Sequence, residues 1–598
     1  NLEKEIKKFA SKRTGFRFHD DEPSIALLLL QNNVVTPDEL LRLRLAKRRK
    51  DNRNPFPESY DNKLCELAEK LPEVDGDKEV ANGRTDLRDL PLVTIDPHDA
   101  KDFDDAVCLI RNGKELTLWV AIADVANYVH TSSRLDSTAR SRATSVYLPH
   151  TVLPMLPPRL ADDLCSLRSG VDRLAMVVSM SIKDNEIIET KAYEAVIRVD
   201  KNLAYEDALD NPEFEEMFEL ADAWQKKEIR LNIHNAEMRP RLHGDNRINV
   251  EVKWPNAATR MIESFMVATN SAIGHLLGNK GAPLPWRCHS PPDAEEVSSL
   301  NAKLSALGVD IELPMPSLKT HGQSDSEELS NLLGAWAQSS GGGIDIELED
   351  DSSNSNDDVP YYLQNVLDPD ARQNILDALM KAQKQASELD PTVRRIVDQG
   401  LFQLMQRATY SSENSGHFGL NLDAYVHFTS PIRRYPDLVA HRQLKSYLKG
   451  EEWHHDEDEI SKLSAHCTEQ SLIAKYIEWE LVANAYHIHL LRGGKIGTET
   501  DIESPMIGEK SWPARIVRLR TPWVFLDLYD DGAIQGRMHL RQLGKKRQLS
   551  VDAHGLNVIK SDSENWEDEK PVIRLGQYYP CRLRGIDIWS GSLDLAPK

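Results

Sequence analysis

Residues 94–107 read TIDPHDAKDFDDAV and place aspartates at 96, 99, 102, 104 and 105, five within ten positions, between apolar neighbours. Carboxylates this close raise one another's pKa and need positive charge among them. Magnesium is one such charge: it is held by a few carboxylates, waters and substrate phosphate. A calcium EF-hand loop does not fit, because the sixth position from Asp96 is Lys101 rather than glycine and the twelfth is Val107 rather than glutamate. An exposed acidic turn, the bland alternative, sits badly beside LPLVTI, which reads as a buried strand. With a bound cation, such a cluster suits phosphoryl chemistry, in which water is activated and the leaving oxygen stabilised.

That chemistry also needs a cation facing the developing charge, and residues 425–444, YVHFTSPIRRYPDLVAHRQL, supply candidates. Ser430 before Pro431 predicts a helix N-cap with proline in the first turn, with a restart or kink at Pro436. Arg433 and Arg434 are then near a helix N-terminus, where backbone N–H groups favour phosphate. Paired arginines alone are usually surface charge. Their weight comes from the aspartate cluster.

The elements that position these residues are those of a globular chain: 598 residues, 40% hydrophobic and 28% charged, enough for roughly two to four domains. Residues 1–85 read as helix-rich and polar, with a helix-turn-helix-like pattern after Asp21. From Leu90 the texture turns to strands, with AVCLI and LTLWVAIADV flanking Asn112-Gly113, a hairpin signal. Prolines at 149, 154, 157 and 158 predict an ordered loop without a ladder of its own. Apolar Met261, Phe265, Ala268, Ile273 and Leu276 predict a helix over 257–277, and helices are expected again from Ala371 to Leu491. The last ninety or so residues read as short strands of a small β-barrel of OB type.

Six cysteines without CxxC or zinc spacing read as reduced core residues of a cytosolic-type protein. The apolar run Ile25–Leu30 is too short to span a bilayer, so no membrane partner is expected. The net charge of −22 argues against a polyanion partner at face value. Many of the acids, however, fall in the Ser/Asn/Gly-rich stretch Ser324–Asp358, which reads as a solvated insert. Basic clusters stand at Arg42–Lys50, Arg433-Arg434 and Arg537–Arg547.

Taken with YLPHTVLPMLPPRLADDLCSLRSG at 147–170, the two motifs resemble the ribonuclease II/ribonuclease R (RNB) family of 3'-to-5' exoribonucleases over residues 85–490. The resemblance implies an α+β fold: a catalytic domain over 86–492, with a mixed sheet surrounded by helices and an acidic insert near 322–358. A helical region (1–85) would precede it and an OB-fold RNA-binding barrel (505–598) follow it. Asp96, Asp102, Asp104 and Asp105 would be the metal-binding and catalytic carboxylates, holding Mg2+ with Mn2+ as a substitute, and Asp104 the one whose loss abolishes cleavage. Asp99, in the variable part of the motif, is expected to be a solvated loop acid. Arg433 matches the phosphate-clamping arginine, and Arg434 is expected on RNA backbone or an acid. Tyr147 matches the aromatic that packs on the terminal nucleotide. Tyr205, Glu263 and Glu478 match further substrate-contacting positions, Glu263 accepting from a ribose 2'-OH.

The implied activity is processive hydrolysis of single-stranded RNA to nucleoside 5'-monophosphates, in RNA decay or processing. The expected setting is the cytoplasm, or an organelle if a leader is removed. Two departures stand out. Residues 1–85 do not look like the cold-shock-type barrels usual in the family, and NAEMRPRL at 235–242 lacks the aromatic that often clamps bases opposite Tyr147. A catalytically silent RNA-binding scaffold would show a broken acidic cluster, whereas all four aspartates and the arginine stand. A regulatory DNA-binding protein would have to bind duplex through the N-terminal helices.

Overall fold

The computed structural model describes residues 30, 35–50, 56–209, 211–227, 237–244, 247–315, 360–389, 391–491, 512–528, 535–543, 549–552, 555–560, 572–587 and 592–598. The acidic insert expected near 322–358 and residues 1–29 lie outside the described residues.

Three helices lead in: α1 (Pro37–Lys50), α2 (Asn62–Glu69) and α3 (Gly76–Ala81). Asp61 and Asp75 cap α2 and α3 by accepting the N–H of Leu64 and Lys78, donors that a first turn otherwise leaves open. The basic run expected at 42–50 is the second half of α1, whose Leu40, Leu41 and Leu45 are buried in one cluster with Ile477 and Leu481.

Strands β1 (Thr85–Asp86), β2 (Val93–Asp96), β3 (Asp105–Asn112) and β4 (Glu115–Ala123) follow, then helix α4 (Arg134–Arg142) and the short strands β5 (Val146–Tyr147) and β6 (Val152–Leu153). Next come β7 (Asp172–Lys183), β8 (Glu186–Arg198) and β9 (Lys201–Ala204). Seven of these make one mixed sheet in the order β1-β8-β7-β4-β3-β2-β9. Both faces of its middle are covered. Leu118, Val120 and Ile122 of β4 enter one core with Met176 and Val178, while Ala121 and Ala123 enter the other with Ala175 and Val177. Strands buried on both sides read as continuous apolar runs, which is why LTLWVAIADV shows so little alternation.

Two local expectations are corrected. Asn112 pairs with Glu115, so the hairpin loop is Gly113-Lys114, one residue later than expected, and Gly113 takes the positive φ of +65° that glycine tolerates. The proline-rich stretch does carry a ladder: β6 pairs with β5, Val146 opposite Leu153 and Tyr147 opposite Val152. Its prolines flank that two-residue strand and leave the N–H groups of Val152 and Leu153 in place.

Helices α5 (Tyr205–Leu209) and α6 (Glu215–Lys227) and the hairpin β10 (Glu237–Leu242)–β11 (Ile248–Lys253) precede α7 (Ala257–Gly278). The last starts where expected, on a capping box between Asn256 and Thr259, and buries Met261, Phe265 and Ile273 against the sheet. Then come β12 (Trp286–Cys288), α8 (Ala294–Ala306), α9 (Pro369–Leu389), α10 (Pro391–Leu404), β13 (Thr409–Ser411), α11 (Tyr435–Lys449) and the long α12 (Glu457–Leu491). At the C-terminal end β14 (Trp512–Arg520), β15 (Trp523–Asp527) and β16 (Gln535–His539) lead to a small sheet of β17 (Leu549–Val551), β18 (Asn557–Lys560) and β19 (Ile573–Arg574). With β20 (Tyr578–Asp587) and β21 (Ser592–Pro597), the first three close a five-stranded barrel. Its core takes in Tyr486 of α12 and Val250 of β11, so the barrel is seated on the main body. All six cysteines are free thiols and five are buried. Among the described residues no helix is long and apolar enough to cross a membrane.

One buried ion cluster fixes α11 to the sheet. Asp124, directly after β4 and fully buried, accepts from Arg84 at 2.8 Å and Lys445 at 2.7 Å. Burial alone would push its pKa up, but Lys445 and Arg84 outweigh it and hold the carboxyl at about 2. An unfolded-chain aspartate titrates near 4. The charge therefore stabilises the fold above about pH 4, and that contribution is withdrawn as the pH falls through about 2. Asp124→Asn is expected to lower the unfolding free energy at neutral pH by about 3 kcal/mol, because it removes the fully buried anion of the cluster and leaves Arg84 and Lys445 only the more exposed Glu79 and Glu194. Urea unfolding from pH 7 to pH 2 should show the variant losing less stability on acidification than the wild type.

Candidate active site

β2 ends on Asp96 and β3 begins on Asp105, so antiparallel pairing of these adjacent strands sets the two carboxylates at the same end of the sheet. The loop between them is stapled to residues 166–167. The Phe103 N–H donates to Ser166 Oγ at 3.1 Å, Ser166 Oγ donates to the Lys101 carbonyl at 2.6 Å, and the Leu167 N–H donates to the Phe103 carbonyl at 2.9 Å. Asp104 is 4% exposed. Asp99 is the solvated loop acid expected, its side chain 55% exposed, and it also pairs with Arg241 of β10, which ties the aspartate loop to the β10–β11 hairpin.

The arginine motif meets this cluster through backbone and side chain together. Asp104 Oδ1 accepts the Ile432 N–H at 2.8 Å, and Arg433 Nε lies 3.4 Å from Asp104 Oδ2. Arg433 Nη2 donates to Ser430 Oγ at 2.9 Å, and Arg434 Nη2 donates to Asp437 at 2.7 Å. Arg434 is thus on an acid, one of its two expected roles. Of the two expected features, the cap at Ser430 is absent and the restart at Pro436 is present. The helix starts at Tyr435 with Arg434 as N-cap and Pro436 in its first turn, because a helix running through from Ser430 would drive the Pro436 ring into the Ile432 carbonyl. Residues 430–434 form a turn in which the Ser430 carbonyl accepts from the N–H groups of Arg433 and Arg434.

The strand leading to Tyr147 runs alongside this turn. The Ser145 N–H donates to the Arg433 carbonyl at 3.0 Å and the Tyr435 N–H to the Ala143 carbonyl at 2.9 Å. Tyr147 is 43% exposed, its hydroxyl donates to Asp102 Oδ2 at 3.2 Å, and its N–H donates to Glu478 Oε1 at 2.9 Å. Glu478 of α12 therefore buttresses Tyr147, and burial raises its pKa. Tyr205 opens α5, next to Ala204, the β9 partner of Asp96. Its hydroxyl pKa is raised by burial and then by the charges of Asp96 and Asp105. Glu263 is exposed one helix over, on α7, which packs against α5.

The carboxylates carry more negative charge than the protein around them compensates. Burial and then the charge of Asp105 raise the pKa of Asp96. Burial raises Asp104 and Asp105 as well, against the opposing pull of Arg433. Asp96 Oδ2 and Asp104 Oδ2 are buried without a hydrogen-bond partner. Among the described residues no three acidic, histidine or cysteine side chains form a ready-made metal cage. Two orphaned carboxylate oxygens at this half-open end suit a hard cation that takes one or two protein carboxylates and completes its shell with water and phosphate. The site also uses groups that sequence reasoning did not single out, the Ile432 N–H, Asp437 and Arg241, and it uses Ser430 to anchor Arg433 rather than as the expected cap. Only Asp437 left a signal, as an acid three residues after Arg434.

The sequence model of a family described as the RNB domain matches residues 84–450. Ribonuclease R of Thermotoga maritima is 33% identical over 457 residues, covering 72% of this chain and 56% of that protein. Ribonuclease R of Escherichia coli is 33% identical over 446 residues, covering 69% of this chain and 47% of that protein. The chain spans about half the length of these curated relatives. Among solved structures, the fold is similar to Mycoplasma genitalium RNase R in complex with ribose methylated single-stranded RNA, with a TM-score of 0.73 and 21% identity over 94% of this chain and 78% of that one. It is also similar to yeast Ssd1, a pseudonuclease, with a TM-score of 0.56 and 19% identity over 82% and 54%. The domain match takes in both motifs, from the aspartate loop to the arginine turn, and the chain belongs to the RNB family.

Proposed function

We propose that the chain is a 3'-to-5' exoribonuclease that hydrolyses single-stranded RNA processively to nucleoside 5'-monophosphates in RNA decay or processing. The observation that carries this reading is the junction of Ile432 and Arg433 with Asp104, which brings together motifs 328 residues apart. It is the arrangement that in-line attack on a phosphate requires: buried anions on one side and an arginine fork on the other. A scaffold that had lost catalysis would have no need to keep buried carboxylates uncompensated.

Asp96, Asp102, Asp104 and Asp105 would hold Mg2+, or Mn2+ in its place. A cation so held supplies a nucleophilic water at neutral pH and stabilises the leaving oxygen. Arg433, 43% exposed at its side chain, would clamp the scissile phosphate. Tyr147 would stack on the terminal base, a contact that tolerates any sequence, while Tyr205 and Glu263 read its sugar. Water adds to phosphorus, the phosphorus–O3' bond breaks, and the shortened chain leaves with a new 3'-hydroxyl. In this reading residues 86–492 are the catalytic unit, 505–598 an RNA-binding barrel, and the free cysteines fit a reducing cytoplasmic setting.

The test is product analysis on single-stranded RNA and on DNA of the same sequence. Nucleoside 5'-monophosphates released from RNA alone are expected. Release of 3'-monophosphates, or equal cutting of DNA, would refute the reading.

A further inference from the structure

α12 is packed on one side and open on another. Its Ile477, Leu481, Ala485 and Ile488 are buried in the cluster that includes the leucines of α1, and its Glu478 reaches Tyr147. Beside Glu478, Trp479 is 62% exposed and Tyr476 is 53% exposed. At a spacing of three they share one helix face. The exposed Arg407 guanidinium lies 5.7 Å from the centre of the Tyr476 ring, and Lys475, its side chain 83% exposed and its Nζ 3.9 Å from Glu478 Oε2, stands on the same turn. Two open aromatic rings beside two cations, on a chain of net charge −22, offer stacking surface and phosphate charge together.

We propose that Tyr476 and Trp479 form a stacking platform for bases of single-stranded RNA upstream of the nucleotide at Tyr147, with Arg407 and Lys475 facing the backbone phosphates. This rests on the exoribonuclease reading. Continuity within α12 supports it: Glu478 holds the Tyr147 backbone, and two turns further on Tyr486 is part of the barrel core. Tyr476 and Trp479 flank Glu478 within one helical turn, which sets both rings close to where a strand leaves Tyr147. The flanking cations favour a polyanion over an apolar protein segment or a second copy of the chain as the occupant.

The test measures binding of a trinucleotide and of an oligomer of about fifteen nucleotides to the full chain in EDTA, for wild type, Tyr476→Ala, Trp479→Ala and Trp479→Phe. Each alanine variant is expected to bind the longer RNA about 5- to 100-fold more weakly and the trinucleotide as wild type does, with Trp479→Phe restoring most of the loss. Trinucleotide hydrolysis with magnesium should keep its wild-type rate in all three. If wild type binds and shortens RNA and the alanine variants match it on the longer oligomer, or lose both lengths equally, the platform is wrong and the exoribonuclease reading stands. If wild type binds neither oligomer, both fall.

Discussion

Asp104→Asn lowers the rate of RNA hydrolysis on the order of 10³-fold, leaves single-stranded RNA bound, and melts at the same temperature as the wild type or higher. The combination follows from where Asp104 sits. Its Oδ1 accepts the Ile432 N–H, a bond that an asparagine carbonyl oxygen keeps. Its Oδ2 is buried without a hydrogen-bond partner, and burial together with Asp102 and Asp105 raises its pKa. Burial thus outweighs the pull of Arg433, 3.4 Å away, so the wild-type fold carries a carboxylate whose charge costs stability, and the variant removes it. In the proposed reading RNA affinity would rest on Tyr147, Arg433 and the backbone contacts, and it should survive. Activity parallel to a lowered melting temperature would mean that Asp104 is only a structural acid.

Arg433→Ala is expected to slow hydrolysis by about 10²–10³-fold, with Arg433→Lys recovering part of the loss. The guanidinium is anchored on one side by Ser430 Oγ and lies beside Asp104 on the other, while the Arg433 carbonyl is fixed by the Ser145 N–H. Lysine restores the charge but not the planar fork. Single-turnover rates separate the two cases. A lysine variant as fast as wild type would leave only a charge requirement, and an alanine variant as fast would remove Arg433 from the chemistry.

Much of this was legible in the sequence for physical reasons. The aspartates announced themselves because like charges beside a buried strand demand compensation, and helix 257–278 because its apolar residues recur at helical period. Asp99 is the exposed loop acid expected, but its partner, Arg241, was not legible, because it comes from a hairpin 142 residues away and no local pattern encodes such a pairing. The restart at Pro436 was legible and the cap at Ser430 was not: Ser430 and Pro431 mimic a cap, but the observed N-cap is Arg434, four residues later, because the exclusion set by Pro436 acts four residues upstream. That Glu478 holds the Tyr147 backbone depends on how β5 packs against α12, which is tertiary structure alone.

The measurement that bears most directly on the central claim is a time course on 5'-labelled single-stranded RNA with magnesium, run on wild type, on Asp104→Asn, and on wild type with EDTA. The account predicts stepwise shortening from the 3' end in the first reaction and intact, bound RNA in the other two. Shortening that continues in EDTA or in Asp104→Asn, or internal cuts that leave no ladder, would contradict it.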